Sequence, residues 1–137
     1  MPGELEKIKS YFAGQEDVAA VYLFGSAARG TLRPHSDYDL ALIFAAYAGD
    51  GAARFDRLLL FGVELQSLLR RPVDVIDLSL VPLPLRHQIF KEGILLVEKD
   101  RERRISFEVS TRRQYFDLKP LLAARTRALL DYLKEVR

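Results

Sequence analysis

Two short apolar runs set the strongest limit on what this chain can become. Ala19-Ala20-Val21-Tyr22-Leu23-Phe24 is rich in strand formers and stops at Gly25-Ser26, which reads as a buried strand. Tyr38 to Phe44 reads as a second strand. Because the connection between them is short, the two are expected to pair directly. Side chains alternate along a strand, so Leu40, Leu42 and Phe44 point one way while Asp37, Asp39, Ala41 and Ile43 point the other.

The flanking segments supply the layers. Glu4 to Ala13 places Leu5, Ile8 and Phe12 at helical spacing, with Gly14 as its stop. A small-residue loop, Ala45 to Ala52, leads into a helix expected from about Ala53 to Arg70, with Phe55, Leu58, Leu59, Leu65 and Leu69 on its apolar face. Pro72 forces a break, and Val73 to Asp77 reads as a third strand. Pro82 and Pro84 open a short helix carrying Leu85, Ile89 and Phe90, which Gly93 ends; Ile94 to Val97 is the fourth strand. From Glu102 to Val136 the pattern is helical, and Pro120 is expected to divide it into two pieces. The expected fold class is α/β (α+β): one small mixed sheet, helices packed mainly on one face, and a C-terminal helical tail.

Composition narrows the class. With 137 residues, 49% hydrophobic and 29% charged, the chain suits one globular domain with a real core. It has no cysteine, which excludes a disulfide framework and a thiolate metal site. No apolar stretch approaches the ~20 residues of a membrane span, and no leader-like segment opens the chain. A reduced, soluble, cytoplasmic domain without a membrane role is the expectation. Charge is uneven: residues 101–137 carry ten Lys/Arg and five Asp/Glu, a net of +5, against −3 for residues 1–100. A basic segment suits nucleotide phosphates, nucleic acid or an acidic partner surface, and equally the solvated face of a helix.

The chemistry concentrates between the first two strands. Gly25-Ser26 is followed by ten residues and then by Asp37-Tyr38-Asp39. Residues i and i+2 of a strand share a face roughly 6.5–7 Å apart, so both carboxylates can reach inward as hard oxygen ligands for Mg²⁺. Two ions ~3.5–4 Å apart would clamp the attacking and leaving oxygens of a phosphoryl displacement. The plainer reading makes Asp37 a turn residue and Asp39 a surface carboxylate. Gly25 lets the backbone approach a ligand, Ser26 and the next amides can donate to phosphate oxygens, and Arg29 and Arg33 can neutralise a triphosphate. An ordinary Gly-Ser turn is the alternative. Asp74 interrupts an apolar strand, where a buried unpaired charge is costly and a metal or cationic partner relieves it; an edge position facing water would relieve it too. Asp77 is its rival as third carboxylate, although its place before Leu78-Ser79 suits a cap.

Gly25-Ser26, with Asp37-Tyr38-Asp39 ten residues on, resembles the signature of DNA polymerase β-type nucleotidyltransferases. Gly25-Ser26-Ala27-Ala28-Arg29-Gly30 with Ser36-Asp37-Tyr38-Asp39-Leu40, together with the tail from Phe107-Glu108 through Lys119-Pro120, resembles the minimal nucleotidyltransferase (MNT) antitoxins encoded beside HEPN-domain ribonuclease toxins. The resemblance covers almost the whole chain. It implies a nucleotidyltransferase core over residues 1–100 and a basic helical tail over 101–137, packed on the core or on a partner. It also implies an Mg²⁺-dependent protein adenylyltransferase that moves AMP from ATP to a tyrosine hydroxyl of a HEPN toxin. On that resemblance Gly25 and Ser26 hold the triphosphate, Asp37 and Asp39 bind both metal ions, and Asp74 is the third carboxylate, placed to help deprotonate the hydroxyl; Arg29 joins the nucleotide-binding candidates by its charge.

Two other functions fit the same residues. One is an antitoxin that occludes its toxin without chemistry; the other is nucleotidylation of a small molecule such as an aminoglycoside, for which the chain is short. Direct nucleic-acid binding is not expected. His35 sits in the loop before Asp37 and His87 is expected at the surface. Tyr115 and Phe116 are candidate partner anchors, with packing of the last helices onto the sheet the alternative. Arg101, Arg103, Arg104, Arg112 and Arg113 face either a partner or the nucleotide.

Overall fold

The computed structural model describes residues 2–30 and 36–136. Helix α1 (Pro2–Ala13) leads to strand β1 (Val18–Phe24), and the four-residue helix α2 (Gly25–Ala28) follows directly. Strand β2 (Tyr38–Phe44), helix α3 (Gly51–Leu69) and strand β3 (Val73–Asp77) come next. A 3₁₀ turn (Leu78–Leu80), helix α4 (Leu83–Glu92), strand β4 (Ile94–Glu98) and the long helix α5 (Arg101–Glu135) complete the chain. The sheet order is β3-β2-β1-β4. β1 pairs antiparallel with β2 and β4, whereas β2 and β3 run parallel. The sheet is therefore mixed, and its first two strands pair directly as expected.

Both faces of the sheet are apolar, and both are covered. Val21, Leu23, Leu40, Leu42, Phe44 and Val73 face α1 and α3, joining Ile8, Phe12, Phe61, Leu65 and Leu69 in the larger core. Ala20, Tyr22, Ala41 and Ile43 form a smaller core on the opposite face with Leu78, Val81 and Ile89, against which Phe90 and Phe107 pack. Helices thus lie on two faces rather than mainly one, because small side chains at positions 19, 20 and 41 leave room for a second layer.

Helix α3 begins earlier than its apolar spacing suggests, because Asp50 caps it: Asp50 Oδ1 accepts from Ala53 N at 2.9 Å. Its buried face is also rotated. Phe61, Leu65 and Leu69 are buried and Leu58 packs against them, but Phe55 and Leu59 are 60% and 55% exposed. Arg57 fixes that rotation by pairing with Asp17 at 2.7 Å and reaching Gln15 Oε1 at 2.8 Å.

Pro120 does not divide the C-terminal segment. Helix α5 runs through it as one 35-residue element. Proline removes one helical hydrogen bond and crowds the preceding turn, but the following Leu121-Leu122-Ala123-Ala124-Arg125 are strong helix formers. The first half of α5 is anchored: Arg103 Nε donates to Phe44 O at 2.7 Å, and Arg104 donates to Glu98, Glu108 and Tyr22. From Phe116 to Val136 only Leu118 and Leu122 are half-buried, and the rest is exposed. Among the described residues, no helix is long and apolar enough to cross a membrane.

Candidate active site

The end of β1, the start of β2 and the start of β3 meet on the face that carries the smaller core. Gly25 follows β1 with φ +73°, a left-handed conformation that glycine adopts without strain. The chain thereby turns at once into α2, with Phe24 as its extended N-cap. In the β1–β2 register Phe24 stands opposite Asp39. A side chain on Gly25 would put its Cβ 2.4 Å from Asp39 Oδ2, so the absence of that carbon is what lets the Asp39 carboxylate lie against the turn.

Parallel pairing brings the third carboxylate. Asp39 and Asp74 are direct register partners, on strands about 4.8 Å apart. Tyr38 N donates to Pro72 O at 3.0 Å just ahead of this pair, which sets the register. Asp37 is exposed immediately before β2, two residues from Asp39. Burial, then the charges of Asp74 and Asp37, push the Asp39 carboxyl above its ordinary value, while Arg29 pulls it down. Those four groups therefore share one electrostatic environment.

Asp77 does not belong to it. Three residues beyond Asp74, it falls on the other side of the strand, is buried, and accepts from Ser79 N at 2.9 Å and Ser79 Oγ at 2.7 Å. It caps the 3₁₀ turn. Asp74, by contrast, is exposed on the edge strand β3, so solvent alone relieves the cost of its charge. Ser26, on α2, is half-buried, and Arg29, the residue that follows α2 as its C-cap, is exposed. Arg33 and His35 lie outside the described residues.

Helix α4 supplies a wall that the motif does not announce. Phe24, Gly25, Ala28 and Arg29 share a pocket of ≈ 100 Å³ with Leu85, Gln88, Ile89, Glu92 and Gly93. Gly93 lets α4 close on the sheet, since a Cβ there would meet Ile89 O at 2.5 Å and Leu23 O at 3.2 Å. Gln88 and Glu92, hydrogen-bonded at 3.3 Å, are its polar groups apart from Arg29 among the described residues. Their spacing with Leu85 and Ile89 along one helix face was the available signal.

The other candidates separate. Arg103 and Arg104 are structural anchors, and Arg112 pairs with Glu108. Tyr115 stacks on His87, ring centroids 3.8 Å apart, so His87 is half-buried rather than a free surface residue. Phe116 is 62% exposed and does not pack on the sheet. Among the described residues no three Asp, Glu or His side chains are gathered into a ready metal-ligating group. The donor chemistry nevertheless suits a hard cation: Asp37, Asp39 and Asp74 offer only oxygens, and among the described residues their mutual repulsion at Asp39 is opposed by Arg29.

A Gly-Ser turn set against a register-paired carboxylate strand in a small mixed sheet defines a nucleotidyltransferase-like protein. The chain belongs to the polymerase β nucleotidyltransferase family, whose pattern matches residues 6–102. No curated protein sequence matches it. Among solved structures it resembles a chain of a toxin–antitoxin complex with AMP-PNP, at 29% identity and TM-score 0.68 over 96% of this chain and 98% of that one. It also resembles a chain of the MntA–HepT toxin–antitoxin complex, at 26% identity and TM-score 0.65 over 98% and 99%. A third is a complex of tri-AMPylated Shewanella oneidensis HEPN toxin with MNT antitoxin, at 25% identity and TM-score 0.66 over 97% and 98%.

Proposed function

We propose that this chain is an antitoxin that transfers AMP from ATP to a tyrosine hydroxyl of a HEPN-domain toxin, silencing it. The observation that carries the reading is the convergence of Asp37, Asp39 and Asp74 beside the Gly25–Ser26 turn. The AMP-PNP and tri-AMPylated complexes among its structural relatives support the nucleotide and the modification.

In this reading the α2 turn and Arg29 hold the triphosphate, Ser26 donating to a phosphate oxygen and Arg29 offsetting its charge. Asp37 and Asp39 would hold Mg²⁺, with Asp74 beside them; when bound, the ions neutralise phosphate charge and favour the leaving pyrophosphate. The tyrosine oxygen bonds to the α-phosphorus as the bond to the bridging oxygen of pyrophosphate breaks. Asp74, open to solvent on its edge strand, accepts the phenol proton. Positioning and charge neutralisation supply the rate, as in phosphoryl transfer generally.

Intact-mass measurement of the toxin after co-expression tests this. Whole AMP units added by wild type, and absent with the Asp37→Ala, Asp39→Ala double variant, are expected. Transfer retained by the double variant, with both proteins folded, would refute it.

A second reading rests on a separate observation. Leu121, Leu129, Leu130 and Leu133 are exposed along the distal half of α5, a surface able to cover a partner without chemistry. A double-aspartate variant that still neutralises an unmodified toxin in a stoichiometric complex would favour occlusion.

A further inference from the structure

The cleft between α4 and the first half of α5 holds a cluster that the transfer chemistry does not use. His87, Phe90 and Lys91 of α4 and Glu108, Thr111 and Arg112 of α5 line a pocket of ≈ 150 Å³. Thr111 is 1% exposed, and its Oγ1 is buried with no hydrogen-bond partner. A helical threonine can return its hydroxyl to the carbonyl one turn back, as Thr126 does to Leu122 O at 3.0 Å. Thr111 does not, and a buried polar group left unmatched calls for a partner.

The charges around it are mismatched in one direction. Among the described residues Glu108 is the one carboxylate in the lining, and both its oxygens are engaged: Oε2 accepts from Arg104 at 2.8 Å and Oε1 from Arg112 at 3.1 Å. Lys91 has no carboxylate partner among the described residues. Lys119 adds a third positive charge near His87. The parallel stack on Tyr115, interplanar angle 4°, holds the His87 ring in the wall. Burial and the charges of Lys91, Arg112 and Lys119 keep that ring below its ordinary value.

We propose that this pocket binds a phosphate-type oxyanion, held by Lys91 and Arg112 and by the Thr111 hydroxyl. Such an anion accepts from all three, matches the excess positive charge, and gives the orphaned hydroxyl its acceptor. The pocket is distinct from the one beside Gly25, which α4 lines with Leu85, Gln88, Ile89 and Glu92 instead. The oxyanion pocket is therefore separate from the proposed AMP-transfer site.

Titration of the full chain with inorganic phosphate at constant ionic strength, followed by the NMR resonances of the His87 ring and by thermal shift, tests it. A parallel titration with AMP distinguishes free phosphate from a phosphate ester. Saturable binding that perturbs His87 is expected. Lys91→Ala with Arg112→Ala should weaken it at least about tenfold. Thr111→Val should weaken it several-fold without lowering the melting temperature of the phosphate-free protein, and it carries the test alone if the double variant does not fold. Ser26→Ala with Arg29→Ala should leave it intact. Binding unaffected by the pocket variants, lost with Ser26 and Arg29, or unsaturated at roughly 50 mM would overturn the proposal and leave an adventitious ion only.

Discussion

Gly25 and Asp39 stand so close across the β1–β2 pair that one added methyl carbon on Gly25 would lie 2.4 Å from Asp39 Oδ2. The φ of +73° at Gly25 adds backbone strain to any side chain there. Gly25→Ala is therefore expected to displace the carboxylate and lower AMP transfer by about 10²-fold. Pyrophosphate release with the partner toxin measures it, with circular dichroism to confirm the fold. Undiminished transfer would show that the carboxylate's position is immaterial.

Asp39 also gives the site a pH signature. Its folded-state carboxyl is raised by burial and by Asp74 and Asp37. The native state thus holds that proton more tightly than the unfolded chain. The stabilising contribution is full below the ordinary carboxylate value and is lost as pH rises through the raised one. Asp39→Asn should raise the melting temperature at pH 7 by about 2–4 °C, the gain vanishing as pH falls below the ordinary value. Equal melting temperatures across that range would contradict the repulsion.

Magnesium supplies an independent check of the same charges. Millimolar Mg²⁺ is expected to raise the melting temperature of wild type, by relieving repulsion among Asp37, Asp39 and Asp74, and to do little for the Asp37→Ala, Asp39→Ala variant. An equal rise in both proteins would place the cation elsewhere.

The larger core depends on Phe61. Its ring meets Phe12 at 5.4 Å, Tyr11 at 6.0 Å and Phe44 at 6.5 Å, under the Arg57 guanidinium at 4.7 Å. Truncation empties a space shared by α1, α3 and the sheet, so Phe61→Ala should cost about 3–5 kcal/mol in urea unfolding. A loss below ~1 kcal/mol would mean that the site collapses around the smaller side chain.

Pro120 is the converse case. Pro120→Ala restores a helical hydrogen bond, and amide exchange over residues 121–135 should slow. The melting temperature of the body should hardly move, because the distal half of α5 is exposed and adds little to either core. A large global rise would reveal packing between that half and the body.

Local chemistry alone made much of this molecule readable. The alternation of Tyr38 to Phe44 separates its two faces, Pro72 and Gly93 end elements, and the Gly-Ser spacing to Asp37 and Asp39 marks the candidate site. Each depends on dihedral preference or side-chain period, properties of a few neighbouring residues. Tertiary structure decided the rest. Register brought Asp74 to Asp39 while Asp77 turned away to cap Ser79. The Arg57–Asp17 pair helped choose which stripe of α3 is buried, and the second core drew α4 and α5 onto the other face. These outcomes depend on contacts between residues far apart in the chain, which no local pattern encodes.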